Sequence, residues 1–345
     1  MSDLDILKKL VTPITDANKE YADSLPTDSY SSLDLLDHCT YQYKFKYIDK
    51  FRSSKGSLAM ECGTCLHKCL EIKGRCIINK EPIDYDYLQE IAREGCLDVT
   101  EKGNEQILGF NQLKKKYFDD YYKIDENTGM NYDQKLQLFF AEVLPDRMED
   151  DKWEIVGTEV PFRFIYDNRV VIKGFIDRID RNKENGELRI TDYKSSKKVY
   201  DKTKLATPLQ HFIYDLACVA IYGQIPTDHV YDFILLNKIQ TGADGVCTKR
   251  YIQRGLKKLD KLLDLKEELI KNNSWIPHPT PLCYWCAYHS DSPFSDPQYK
   301  GVCKYHLLWT PDNKTFAKLN EWNGADVGND LKKNESVNTK RKLIF

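Results

Sequence analysis

Two aspartates and a lysine in the stretch VVIKGFIDRIDRNKENGELRITDYKSSKK, residues 170–198, have the types and spacing for metal-assisted phosphodiester hydrolysis. Asp192 and Lys194 lie in Thr191-Asp192-Tyr193-Lys194. Alternate residues of a strand share a face, so a carboxylate and an ammonium would sit side by side with Tyr193 turned away. Asp177 ends Gly174-Phe175-Ile176-Asp177 on the preceding run, and antiparallel pairing would bring its carboxylate near that of Asp192. Two converging carboxylates suit a hard divalent cation, Mg²⁺ above all. The lysine would orient the attacking water and offset charge on the scissile phosphate. An Asp and a Lys on an exposed strand can equally be solvated, and a D-x-K alone does not decide between the two readings.

Those residues need a sheet to hold them. The runs 170–179 and 187–193 are β-branched and of strand length, and Glu184-Asn185-Gly186 between them predicts a hairpin with a two-residue Asn-Gly turn. Trp153 to Tyr166 begins the sheet, His229 to Leu236 is a later strand, and a shorter one follows through Lys249-Arg250-Tyr251-Ile252. Pro208 to Tyr222 reads as a helix crossing over the sheet. Tyr85 to Met148 is rich in helix formers, with Ile107, Phe110, Leu113 and Tyr117 at helical spacing, so 85–150 is expected to be a helical insertion. Leu256, Leu259, Leu263 and Ile270 mark a long amphipathic helix that the Pro-rich turn 277–281 ends. The expected fold class is α/β, with a mixed central sheet flanked by helices. There is no internal repeat.

Further segments fall in a recognisable order from about Ser29 to His306. Ser31-Ser32-Leu33 leads to Cys39-Thr40-Tyr41-Gln42-Tyr43-Lys44-Phe45; Gly63-Thr64-Cys65-Leu66-His67-Lys68-Cys69-Leu70-Glu71 follows; then come GFIDRID, TDYKSSKK and Gln210-His211-Phe212-Ile213-Tyr214. This order resembles the PD-(D/E)XK nuclease superfamily, and within it the RecB-like branch that includes the nuclease domains of RecB and AddB and the CRISPR-associated exonucleases with an iron-sulfur cluster. Phages carry many such proteins. The resemblance implies a PD-(D/E)XK core in which His67, Asp177, Asp192 and the carbonyl of Tyr193 hold Mg²⁺ or Mn²⁺, with Lys194 beside the nucleophilic water. It implies a DNA nuclease, an exonuclease on single strands or free ends, serving replication, recombination or repair, with Gln210 and Tyr214 along the DNA.

The same residues have their own chemistry. His67 and Glu71 are at helical spacing and share one face, which makes Glu71 a candidate for a supporting role. Imidazole in the ligand set favours Mn²⁺. A helical histidine is also often structural or exposed. Gln210 and Tyr214 present polar ends suited to phosphate or sugar contacts, or else belong to a partly buried amphipathic helix.

The chain has 11 cysteines. Cys283 and Cys286 form a C-x-x-C, and Cys303 follows after sixteen intervening residues. The resemblance makes Cys39 a fourth ligand of a [4Fe-4S] cluster, although the family's gap before its last cysteine is usually short. Cys303-Lys304-Tyr305-His306 is also a C-x-x-H, so Cys283, Cys286, Cys303 and His306 would suit a closed Zn²⁺ site, and plain packing is a third reading. Cys62, Cys65 and Cys69 share a face of the His67 helix and read as core thiols. Cys76, Cys96, Cys218 and Cys247 show no pattern.

Composition narrows the partners. A net charge of −2 over 345 residues does not mark a general nucleic-acid binder, so contact with DNA is expected to rely on local basic groups. Lys194, Lys197, Lys198, Lys202 and Lys204 are the better group; Lys114-Lys115-Lys116 reads as a solvated helix face. No leader or membrane-length apolar run is visible, so a cytoplasmic location is expected, in the host cytoplasm if a phage encodes the chain. The expected layout is a lead-in over 1–28, the nuclease domain over 29–310 with a Cys-rich metal segment at 277–306, and a flexible polar tail over 311–345. The tail ends in Lys342-Leu343-Ile344-Phe345, a docking peptide for a replication partner or a frayed end. The rival functions are a non-catalytic DNA-binding or assembly protein and an endonuclease.

Overall fold

The structure, a computed structural model, describes residues 2–303 apart from 52, 54–55, 101–102, 149, 202–204, 206–208, 243–247, 279, 290–291 and 293. The chain divides into two compact units, one of residues 1–30 and 56–256, the other of 31–55 and the residues from 257 onward. The tail expected over 311–345, Lys342 to Phe345 included, lies outside the described residues.

The first unit is built on a mixed seven-stranded sheet whose order is β1 (Val11–Pro13), β5 (Trp153–Tyr166), β6 (Val170–Asn182), β7 (Leu188–Lys194), β8 (Asp228–Phe233) and β9 (Lys238–Thr241), with β2 (Thr27–Asp28) beside β6. Its spine is β5 (Trp153–Tyr166) paired antiparallel with β6 (Val170–Asn182), which pairs antiparallel with β7 (Leu188–Lys194). Phe164, Ile172, Ile176, Ile179 and Ile190 are wholly buried, and consecutive buried runs such as 170–172 and 178–180 mean that both faces of these strands are covered over part of their length. From β7 the chain passes through the helix Leu209–Tyr222 to β8 (Asp228–Phe233), which lies parallel to β7, the geometry a crossover helix permits.

Several expectations change in detail. The β6–β7 turn is a longer loop over 183–186, closed by the Asn182 N–H to the Glu187 carbonyl at 2.8 Å. Asn182 Oδ1 accepts the backbone N–H groups of Glu184 and Asn185, which widens the turn, and only Gly186 takes a positive φ, +76°. The lead-in supplies two short strands, β1 (Val11–Pro13) antiparallel to β5 and β2 (Thr27–Asp28) parallel to β6. Pairs this short leave no periodic signal. The insertion is not purely helical, because β3 (Gly95–Thr100) and β4 (Gly103–Leu108) form a separate hairpin. Gly95 at φ +77° ends the preceding helix there, and Ile107 belongs to β4. Residues 249–252 start the helix Lys249–Asn272, and β9 (Lys238–Thr241) occupies the edge instead. Buried Ile252, Leu259 and Leu263 continue one helical stripe, which overrides the local β propensity of Tyr251 and Ile252.

The helix Leu58–Asn79 packs against β5, with Gly74 permitting close approach: a Cβ there would lie 3.2 Å from Thr158 Cβ. Its other face buries Cys62, Cys65 and Cys69 with Phe110, Tyr121 and Phe139 of the insertion, the core role expected of those thiols. Lys73, wholly buried on this helix, donates to the carbonyls of Leu144 at 2.5 Å, Pro145 at 2.8 Å and Arg147 at 2.7 Å.

The second unit joins residues 31–55 to the chain beyond 256. Leu36 and Tyr43 pack with Leu269 and Trp275, and Phe45 packs with Cys286 and Tyr288. Thr40 Oγ1 both donates to the Ile276 carbonyl at 2.5 Å and accepts from its N–H at 3.0 Å. Among the described residues, no helix is long and apolar enough to cross a membrane.

Candidate active site

Glu159, which sequence reasoning missed, stands across from Asp177: the β5–β6 register pairs Thr158 with Arg178 and Val160 with Ile176, so Glu159 and Asp177 are opposite each other. Glu159 has φ +45°, a left-handed conformation that a glutamate in a strand adopts only under constraint. His67, from the helix Leu58–Asn79, completes the group. Its Nδ1 lies 3.8 Å from Asp177 Oδ2 and 4.0 Å from Glu159 Oε1. The ligand atoms of His67, Glu159 and Asp177 all fall within 4.8 Å of one another, and no other such group of three occurs among the described residues. One imidazole and two carboxylates suit Mg²⁺ or Mn²⁺.

The electrostatics agree with a place for a cation. Burial, then repulsion from Asp177, pushes the Glu159 carboxyl well above the usual carboxylate range. Burial, then Asp192, does the same to Asp177. Burial lowers His67 against the pull of Glu159, which favours the neutral imidazole a metal needs. Buried carboxylates that repel each other are relieved by a divalent ion more than by protons at neutral pH.

The D-x-K pair stands beside this group. Asp192 is buried; Lys194 Nζ contacts its Oδ2, and Gln210 Nε2 donates to its Oδ1 at 3.2 Å. Burial works against charge on both partners, but Lys194 holds Asp192 well below the carboxylate range and Asp192 holds Lys194 above its ordinary value. The backbone N–H of Tyr193 donates to Asp177 Oδ2 at 2.7 Å, tying β6 to β7 at the site. The Tyr193 backbone also hydrogen-bonds His67, and the two rings meet edge-on with centroids 5.7 Å apart. Of the expected ligands, His67 and Asp177 are thus together, while Asp192 is turned toward Lys194 and Gln210.

Three expected residues stand elsewhere or point otherwise. Glu71 is on the His67 helix, but its carboxylate is occupied by Lys68 at 2.9 Å and by Arg75, outside the converging group. Gln210 is turned inward: besides Asp192 it accepts from Lys194 Nζ at 3.0 Å and donates to Tyr214 OH at 2.8 Å. Tyr214 is buried, so the polar ends expected along DNA are spent inside the site. Lys197 and Lys198 are exposed on the loop after Lys194, with Lys197 Nζ 3.9 Å from Asp125 Oδ2, and Lys202 and Lys204 lie outside the described residues.

A helix-borne imidazole, two carboxylates on paired central strands and a D-x-K on the next strand form one arrangement, and the sequence matches the PD-(D/E)XK nuclease superfamily over residues 27–290. The chain belongs to the PD-(D/E)XK nuclease superfamily. That family implies a nuclease, a hydrolase of nucleic acid, and its members typically use Mg²⁺ or Mn²⁺. No curated protein matches this PD-(D/E)XK nuclease.

The second unit holds a different cluster. Cys39, Cys283, Cys286 and Cys303 line one cavity of about 240 Å³, together with His38, Gln42 and Phe45. Burial raises the Cys283 and Cys286 thiols, and Cys39 adds to both shifts. The Thr280 N–H donates to Cys283 Sγ at 3.4 Å, and Cys286 receives a backbone hydrogen bond at Tyr288 and one from the Gln42 side chain. No three of these sulfurs lie within 4.8 Å of one another, which is wider than the edge of a single tetrahedral zinc site. His306, the histidine of the zinc alternative, lies outside the described residues.

Proposed function

We propose that this chain is a Mg²⁺- or Mn²⁺-dependent deoxyribonuclease of the RecB-like branch, acting on single-stranded DNA or on free ends in replication, recombination or repair. The convergence of His67, Glu159 and Asp177 beside the Asp192–Lys194 pair supports this reading most. A divalent cation held by these residues supplies a Lewis acid toward the scissile phosphate and the attacking water. Asp192 and the Tyr193 carbonyl complete the ligand set in this reading. Lys194, paired with Asp192 and held by Gln210, would orient the attacking water and offset charge on the scissile phosphate. Lys197 and Lys198, exposed on the next loop, meet the DNA backbone.

The test compares wild type with Asp192→Asn and Lys194→Met on end-labelled linear, closed circular and RNA substrates in Mg²⁺ or Mn²⁺. Each variant is expected to lose about 10²–10³-fold in rate while keeping its circular dichroism spectrum. Tight Mn²⁺ binding without cleavage of any nucleic acid by the wild type would establish the assembly-protein alternative, and cutting of closed circles an endonuclease.

The same reading makes the Cys39, Cys283, Cys286 and Cys303 cavity the seat of a [4Fe-4S] cluster, a type of centre commonly tuned by hydrogen bonds to its sulfurs such as those at Cys283 and Cys286. Iron with acid-labile sulfide in anaerobically purified protein supports the cluster; zinc, or no metal, overturns it. A cytoplasmic location, in a phage's host or otherwise, belongs to this proposal too.

A further inference from the structure

His211 follows Gln210 at a position the Q-x-x-x-Y pattern leaves open. Its side chain is wholly buried, and neither ring nitrogen has a partner at ordinary hydrogen-bond distance. An imidazole left so is unfavourable in a core, and its presence calls for a reason. The carboxylate it faces is that of Asp192, whose Oδ2 lies 3.7 Å from His211 Nε2. Behind it, the Tyr231 ring stacks on the imidazole with centroids 4.2 Å apart and planes 13° from parallel. The His229 ring abuts it edge-on at 4.6 Å. His229 is itself fixed by Asp215 Oδ1 at 2.6 Å, and Asp215 Oδ2 accepts from Tyr251 OH at 2.9 Å. Every one of these side chains is buried. The imidazole is therefore clamped with one nitrogen aimed at the D-x-K carboxylate.

We propose that His211 is a positioning residue for Asp192, a buried stop that holds the carboxylate plane on the side away from Gln210; this rests on the reading of Asp192 as a ligand of the nuclease metal. Gln210 fixes Oδ1, and Lys194 with His211 bounds Oδ2, so the carboxylate has one orientation to offer. Outer partners of this kind tune metal affinity and rate together.

The experiment titrates Mn²⁺ into the full chain by calorimetry, alongside steady-state cleavage of DNA. His211→Leu is expected to lose about 10–100-fold in Mn²⁺ affinity and in kcat, with KM for DNA unchanged. His211→Gln, whose amide nitrogen reaches the Nε2 position, is expected to recover most of both. Equal losses in the two variants, or wild-type affinity in the leucine variant, would overturn the proposal. If the leucine variant does not fold, His211→Phe, which keeps the stack on Tyr231, takes its place in the comparison. A wild type that binds Mn²⁺ but cuts nothing sinks the nuclease reading alone, because the calorimetry still decides on His211. A wild type that binds no Mn²⁺ sinks both.

Discussion

Glu159 and Asp177 carry the site's main electrostatic tension, since burial, with repulsion from Asp177 on Glu159 and from Asp192 on Asp177, makes both bind protons more tightly than a free carboxylate does. These two carboxyls therefore hold more protons in the folded chain than in the unfolded one between the ordinary carboxylate range and neutrality, so their contribution to metal-free stability is lost as pH rises through that window, while the lowered His67 and His211 act in the opposite direction. A bound cation replaces those protons. Stabilisation by Mn²⁺, read as a Tm shift in scanning fluorimetry, is expected to be larger at about pH 7.5 than at about pH 5.5. Glu159→Gln is expected to flatten that difference and weaken Mn²⁺ binding by about 10-fold, while an unchanged pH profile would remove Glu159 from the ligand set. Asp177, Asp192 and Lys194 were legible in the sequence because strand alternation is local. Glu159 was not, because its place depends on the register of β5 against β6 and on a left-handed backbone turn inside a strand. Gln210 had the opposite fate: its motif was visible, but not that Asp192, Lys194 and Tyr214 would draw its amide inward.

The His67 helix sets both the distance to β5 and the docking of the insertion. Gly74 meets Thr158, one residue before Glu159, so a side chain there pushes the helix off the strand that carries Glu159. Gly74→Val is expected to lower stability by about 1–3 kcal/mol in urea unfolding and to weaken Mn²⁺ binding as well, because the same packing places His67 and Glu159. On the other face, Lys73 ties the helix to the carbonyls around Leu144, Pro145 and Arg147. Lys73→Met leaves those buried acceptors without their donor and is expected to cost about 3 kcal/mol, read from the same unfolding curves. A loss below about 0.5 kcal/mol would mean that water replaces the ammonium. The helix itself was legible only through its motif and its row of cysteines, whereas the β3–β4 hairpin and β9 were not, since edge pairs of this length are chosen by tertiary partners more than by propensity.

Over the whole molecule, the two units bring together different chemistries: carboxylates, imidazole and lysine in the first, thiols in the second. If the thiols hold a metal centre, its removal by chelation or oxidation should loosen residues 31–55 and 257–303 first, since binding energy at such a centre is also folding energy for the chain around it. Hydrogen exchange with and without the chelator is expected to show that change confined to these segments, and uniform deprotection would contradict it. The C-x-x-C was legible, yet the cavity was not, because Cys39 is distant in sequence and meets the others only through the fold. That discontinuity also governs how the gene can be divided. Ending the chain after Leu256 would strip Leu36, Tyr43 and Phe45 of their covering partners and leave a greasy, aggregation-prone excursion in the middle of the remaining fragment. A fragment limited to the first unit would have to omit 31–55 as well as everything after Leu256.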